Sequence, residues 1–225
     1  MQPLSKIFIP ATGVQQWSQF LADPDRQWRQ GYSARTLAHS WQEAFGFPAE
    51  VNSVLSSVFP EIELLFAFPE HQVPLPGGAR SSQNDIWALA RSHNQLVSIT
   101  VEGKVSEPFG PTIHEWQAES SPGKTKRLAY LLSLLELPST PESLRYQLLH
   151  RTASAILEAK RFNAVHAVML VHSFSRSKEW FADYAAFVTL MGGTASINSV
   201  ASVGSKSQVS LHFAWVQGNT DYLNK

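Results

Sequence analysis

The chain has 225 residues and 25.0 kDa, enough for one large domain, and 44% hydrophobic with 11% aromatic residues supplies a core and excludes disorder. Lysine plus arginine and aspartate plus glutamate each number 18, so the net charge is zero and no overall positive field exists to coat nucleic acid. The absence of cysteine excludes disulfides, thiolate zinc sites and thiol catalysis, and suits a reducing cytoplasm.

Residues 1–10 lack the apolar core of a signal peptide. The best apolar run, 164–171, is interrupted by His166 and too short for a bilayer, so a soluble cytoplasmic protein is expected. Residues 14–21 read as a short helix stopped near Asp23-Pro24. Residues 33–45 read as another, with Ser33 as cap and Leu37, Trp41 and Phe45 at intervals of four. Residues 49–58 make a third, ending before Pro60. Trp17, Trp28 and Trp41 are most simply packing aromatics. The pattern then switches to strands. An apolar run at 62–68, a Pro-Gly-rich turn at 74–78, a strand led by Asp85, a turn at 92–94 and a strand ending in Glu102-Gly103-Lys104 form a three-strand meander.

After a break at 107–111 come a helix at 124–136 and a second from Thr140 to Arg161, with Thr140 as cap and Pro141 in the first turn. Leu144, Leu148, Thr152, Ala155, Ile156 and Ala159 form the buried stripe of that helix. A central strand at 165–172, a helix at 178–191 closed by Gly192-Gly193, and a strand at 209–216 complete the chain. The expected class is α+β, a single domain.

The chemistry concentrates in the second and third strands. Side chains two apart share a face, so Glu102 and Lys104 lie together with Ser98 and Thr100, and a hairpin brings Asp85 beside them. Two carboxylates and a lysine at a strand end can hold a divalent cation and orient a water. Composition alone gives about one Glu-x-Lys by chance in such a chain. A second copy, Glu158-Ala159-Lys160, lies in a helix, where residues two apart do not face each other. The plainer alternative makes Glu102 and Lys104 solvated residues on the wet face of an antiparallel strand.

These residues and their order, helix, three-strand meander, helix, strand, resemble the PD-(D/E)XK nuclease superfamily, whose fold is that of the type II restriction endonucleases. The family's proline before the aspartate is Asn84 here. The resemblance implies an α/β/α sandwich with a helical extension (1–48), a nuclease-like core (49–172) and a C-terminal helix and strand (173–225). It also implies a phosphodiesterase using Mg²⁺ or Mn²⁺, with Asp85 and Glu102 as metal ligands and Lys104 stabilising charge or helping to activate water. In exonuclease-like branches a glutamine on the following helix reaches the site, with a tyrosine four residues later. Gln147 fits the first position, and Arg151 occupies the second, where it can bind phosphate. Some branches add a glutamate from the helix before the meander, for which Glu50 and Glu43 are candidates and Glu61 and Glu63 weaker ones. The stretches 102–110 and 145–152 also resemble an uncharacterised bacterial family.

Lys124, Lys126 and Arg127, opening a helix after Gly123, are candidate phosphate contacts or simply solvated surface. Ser154 and Glu158 continue the polar stripe of Gln147 and Arg151 and are expected to be exposed or at the edge of the core. His150, His166 and His172 lack zinc spacing. The expected partner is nucleic acid, DNA before RNA, with no membrane; a homodimer fits relatives that cut duplexes in pairs. Two other readings stand beside the nuclease. One is a non-catalytic binding module on the same fold, and the other an unrelated α+β protein in which Asp85, Glu102 and Lys104 never meet.

Overall fold

The computed structural model describes residues 13–225, so the stretch 1–10 read above lies outside the described residues. A 3-10 helix at Val14–Phe20 leads to α1 (Pro24–Gln27), α2 (Ser33–Glu43) and α3 (Ala49–Ser56). The meander is β1 (Glu63–Val73), β2 (Ser82–Ser92) and β3 (Gln95–Lys104). It is followed by α4 (Ile113–Gln117), α5 (Pro122–Leu135), α6 (Tyr146–Arg161), β4 (His166–Ser173), α7 (Phe181–Leu190), β5 (Ser199–Lys206) and β6 (Val209–Gln217). Six strands make one mixed sheet in the order β1-β2-β3-β4-β6-β5. β1, β2 and β3 pair antiparallel, β3, β4 and β6 parallel, and β5 returns antiparallel to β6.

Alternation along the strands divides the core into two layers. Ile86, Ala88, Val97, Ile99, Val101, Val168 and Leu170 meet α2 and α3, with Trp17, Leu37 and Trp41 in the same cluster. The residues expected to form an extension therefore supply one side of the core. On the other face Ala167, Met169, Val171, Leu211, Phe213 and Trp215 pack under α5, α6 and α7. Ser98 and Thr100 share this second face and hydrogen-bond to carbonyls of α6, Ser98 Oγ to Ala155 O at 3.1 Å and Thr100 Oγ1 to Arg151 O at 3.2 Å. These bonds fix α6 over β3. Among the described residues no helix is long and apolar enough to cross a membrane.

Several boundaries differ from the pattern reading. The Thr140 cap and its helix start are replaced by a turn, because Leu144 O accepts from Ile113 N (2.7 Å) and Tyr146 N donates to Pro111 O (3.1 Å). These tertiary bonds hold 140–145 beside the short α4, and α6 begins at Tyr146. Ser33 does not cap α2. Its backbone N–H instead donates to the distant Glu107 carboxylate at 3.0 Å. Trp180 takes a left-handed backbone (φ 65°), so α7 begins only at Phe181. β1 runs on through Pro69 to Val73, which an edge strand tolerates. β5, rich in serine and with only Ala201 and Val203 turned to the second core layer, carries too weak a pattern to be read and is found by its pairing with β6.

Leu148 is fully buried where α6 meets the second core layer. Leu148→Ala should cost about 2–5 kcal/mol by loss of transfer energy plus a cavity. The expected readout is a lower urea midpoint with an unchanged denaturant slope.

Candidate active site

The cluster is assembled by register. Ile86 pairs with Val101 and Trp87 with Thr100, which leaves Asp85 and Glu102 adjacent at one end of the β2–β3 ladder, on the face covered by α6. Glu102 and Lys104 are each 3% exposed, so the wet-face alternative does not hold. α6 presents Gln147 and Arg151, four residues apart and so on one side, toward the same place. β1 contributes a residue with no motif to announce it. Its pairing passes from Pro69–Ile86 to His71–Asn84, and the intervening Glu70 has φ 51°, a left-handed backbone that turns the strand at the cleft. Asn84 holds this kink by donating its side-chain amide to His71 O at 3.1 Å.

Charges inside the cluster are closely matched. Lys104 Nζ donates to Glu102 Oε1 at 2.6 Å, and Arg151 Nε donates to Glu102 Oε2 at 2.5 Å. The same guanidinium reaches Asp85, with Nη2 to Oδ1 at 3.7 Å. Asp85 Oδ2 accepts from the backbone N–H of Gly103 at 2.8 Å. Gly103 is the middle residue of Glu-x-Lys, and a Cβ there would lie 3.2 Å from Leu37 and 3.4 Å from Asp85 Oδ2. Glycine is therefore what lets β3 lie close to α2 and present its N–H to the carboxylate. Gln83 Nε2 donates to Glu70 Oε2 at 2.7 Å, and Gln147 Oε1 is buried without a partner among the described residues.

Burial and neighbouring charge drive the three carboxylates apart. Burial raises the Glu102 pKa, but the Arg151 and Lys104 cations overcome it and hold the group at about 2. Asp85 is pushed up to about 7, first by burial and then by the Glu102 charge, which the cations only partly offset. Glu70 rises to about 8 through burial and its proximity to Asp85. On Arg151, burial is outweighed by Glu102 and Asp85, and its pKa rises. Next to it, burial and the Arg151 charge keep His150 neutral.

These groups form the floor of a cleft of about 470 Å³, whose outer wall is the chain from Leu21 to Ala34. Other residues expected at the site lie elsewhere. Glu50 is bonded to His172 Nε2 at 3.1 Å and lines a separate hollow with Asn219 and Tyr222. Glu43 pairs with His39 and Lys225, Glu61 with His93 and Glu63 with Arg91. Lys124 donates to Trp116 O, and buried Arg127 donates to the carbonyls of Leu75, Pro76 and Gly78; neither lines the cleft, nor does exposed Lys126. Ser154 and Glu158 are buried rather than at the edge, Ser154 bonding back to His150 O and Glu158 facing His71. Among the described residues no group of three His, Cys, Asp or Glu side chains is placed to hold a metal ion.

Residues 10–220 match a family described as a domain of unknown function, DUF6946, and the chain belongs to that family. No curated protein and no solved structure matches the chain.

The Asp85 pKa in the folded state lies above its ordinary 3.8, so the native protein keeps a proton that the unfolded chain has released. Stability from this group therefore falls as pH rises from about 4 to about 7; Glu102 works oppositely, its contribution lost only as pH falls toward about 2. Asp85→Asn should raise Tm at about pH 8 and leave it nearly unchanged at about pH 4. Equal gains at both pH values would show that ionisation of Asp85 is not the cause.

Proposed function

We propose that this protein is a metal-dependent nuclease with a restriction-endonuclease-like fold, hydrolysing phosphodiester bonds of nucleic acid in the cytoplasm, DNA before RNA. The observation that carries the reading is the meeting of Asp85, Glu102 and Lys104 at one strand end, with Arg151 delivered from the following helix. Helices on both faces and a meander leading through α6 into parallel β4 support the fold assignment. A homodimer belongs to the same reading.

Asp85 and Glu102 are the residues that would hold a hard divalent cation such as Mg²⁺ or Mn²⁺, which would have to displace the Arg151 guanidinium now lying between them. When bound there, such a cation polarises the phosphoryl oxygen and lowers the pKa of an attacking water. The protein's own groups do the rest. Glu102, held ionised by two cations, is ready to coordinate without first losing a proton. Lys104, fixed against Glu102 and buried beside Phe109, places a positive charge where negative charge grows on the phosphate. Arg151, freed from one carboxylate, can clamp a non-bridging oxygen. Gln147 Oε1, a buried acceptor without a partner, awaits a donor in the cleft, which a bound water can provide.

One observation favours a second reading, a binding module without catalysis. Arg151 bridges Glu102 and Asp85, so its guanidinium can permanently take the place of the cation. Mn²⁺ titration separates the two. A nuclease should gain thermal stability with Mn²⁺ by ordinary binding linkage, and Asp85→Ala should abolish the gain. The module should show no shift in either form.

Lys104→Ala and Asp85→Ala are each expected to reduce Mn²⁺-dependent cleavage of DNA by about a hundredfold or more while circular dichroism stays native. Full activity in both variants would remove the catalytic assignment.

A further inference from the structure

The outer wall of the cleft carries a feature that the hydrolytic groups do not use. Tyr32 follows Gly31, which takes φ 79° to turn the chain, and it stands at the N-cap of α2. It is 47% exposed, one of the few large apolar side chains left in water, yet it lines the same cleft as Glu102 and Lys104. Among the described residues its ring stacks on no other ring and its hydroxyl bonds to nothing. Its backbone, by contrast, is tied at both ends, Tyr32 N to Arg29 O at 3.1 Å and Thr36 N to Tyr32 O at 3.1 Å. The next residue is clamped to Glu107, three positions beyond Lys104. The ring is thus an unused flat surface on a backbone that is fixed relative to the floor. Arg26, its side chain 84% exposed and paired with Asp23 at 3.4 Å, lines the cleft with it.

The floor is deep. Glu102, Lys104 and Arg151 are at most 7% exposed, and about 470 Å³ lies between them and the wall. That volume is typical of a site for one small molecule, the size of a single nucleotide. A base-paired duplex cannot bring a backbone phosphate to such a floor without unpairing, whereas a single strand can turn its base out and lower its phosphate. An aromatic face on the rim beside a basic side chain is the pairing that binds single strands, because every base has a π-face.

We propose that the cleft accepts single-stranded DNA, with one base stacked on Tyr32 and the adjoining phosphate directed to Glu102 and Lys104. This specificity rests on the nuclease reading for the cutting step alone; the stacking step stands without it. Tyr32 is a positioning residue, since it touches the base and not the reacting atoms.

The test uses the full chain with a fluorescent oligothymidylate and the same strand annealed to its complement. Binding is followed by anisotropy in EDTA and cleavage in Mn²⁺. The single strand should bind about tenfold more tightly than the duplex, and Tyr32→Ala should remove about that factor, while Tyr32→Phe, which keeps the ring, binds as the wild type. In cleavage, Tyr32→Ala should raise KM and leave kcat within about twofold. If Tyr32→Ala binds and cuts as the wild type, or the duplex is preferred, the stacking inference is overturned while the nuclease reading stands wherever cutting is seen. If the ring-dependent preference appears but Mn²⁺ produces no cleavage, stacking is upheld and the hydrolytic reading fails. If neither oligonucleotide binds, the stacking inference falls, and the nuclease reading falls with it where Mn²⁺ also produces no cleavage.

Discussion

Glu102 has each of its oxygens held by a different cation, Lys104 from its own strand and Arg151 from the helix above. All three groups are nearly excluded from water. Removing one partner of such a pair leaves a buried charge uncompensated, at a cost of roughly 3–5 kcal/mol. That penalty constrains everything around it. α6 must lie at the height and rotation that deliver Arg151, and the hydroxyls of Ser98 and Thr100 hold it there through its carbonyls. β2 must keep its register so that Asp85 reaches the second side of the guanidinium. The polar contacts between sheet and helix therefore decide how the apolar layers are aligned as well as how the charges are paired.

The same arrangement separates three carboxylates that differ little in chemistry. Glu102 lies between two cations and stays ionised. Asp85 has the Glu102 charge beside it, which Arg151 and Lys104 offset only in part, and Glu70 sees Asp85. The cluster thus holds a permanent anion next to two groups that tend to keep their protons near neutrality. A further positive charge would favour release of those protons, which couples entry of a cation, or of a cationic side chain, to proton loss.

Much of this was legible in the chain because it depends on period-two alternation. Asp85, Glu102 and Lys104 were readable as one group from the strand pattern, and the stripe Leu144, Leu148, Thr152 and Ala155 from helical spacing. Spacing put Gln147 and Arg151 on one polar stripe and the family resemblance pointed them at the site, although only the structure places the guanidinium between two carboxylates. Residues that depend on tertiary bonds were not legible. Glu70 enters through a kink in an edge strand, Glu107 caps a helix 74 residues away, and the Thr140 cap is overruled by bonds to the 111–113 segment. Glu50 had the right residue type on the right helix, but α3 packs on the opposite face and commits it to His172. Serine-rich β5 has too weak an apolar rhythm to be read, so its partner strand defines it.

The Glu107 carboxylate accepts from Val105 N, Ser106 N and Ser33 N, so one side chain fastens the segment leaving β3 to the first turn of α2. The rim of the cleft and the end of the strand that carries Lys104 are therefore tied through one carboxylate, and its loss would leave three backbone N–H groups without their acceptor at once, one in α2 and two beyond β3.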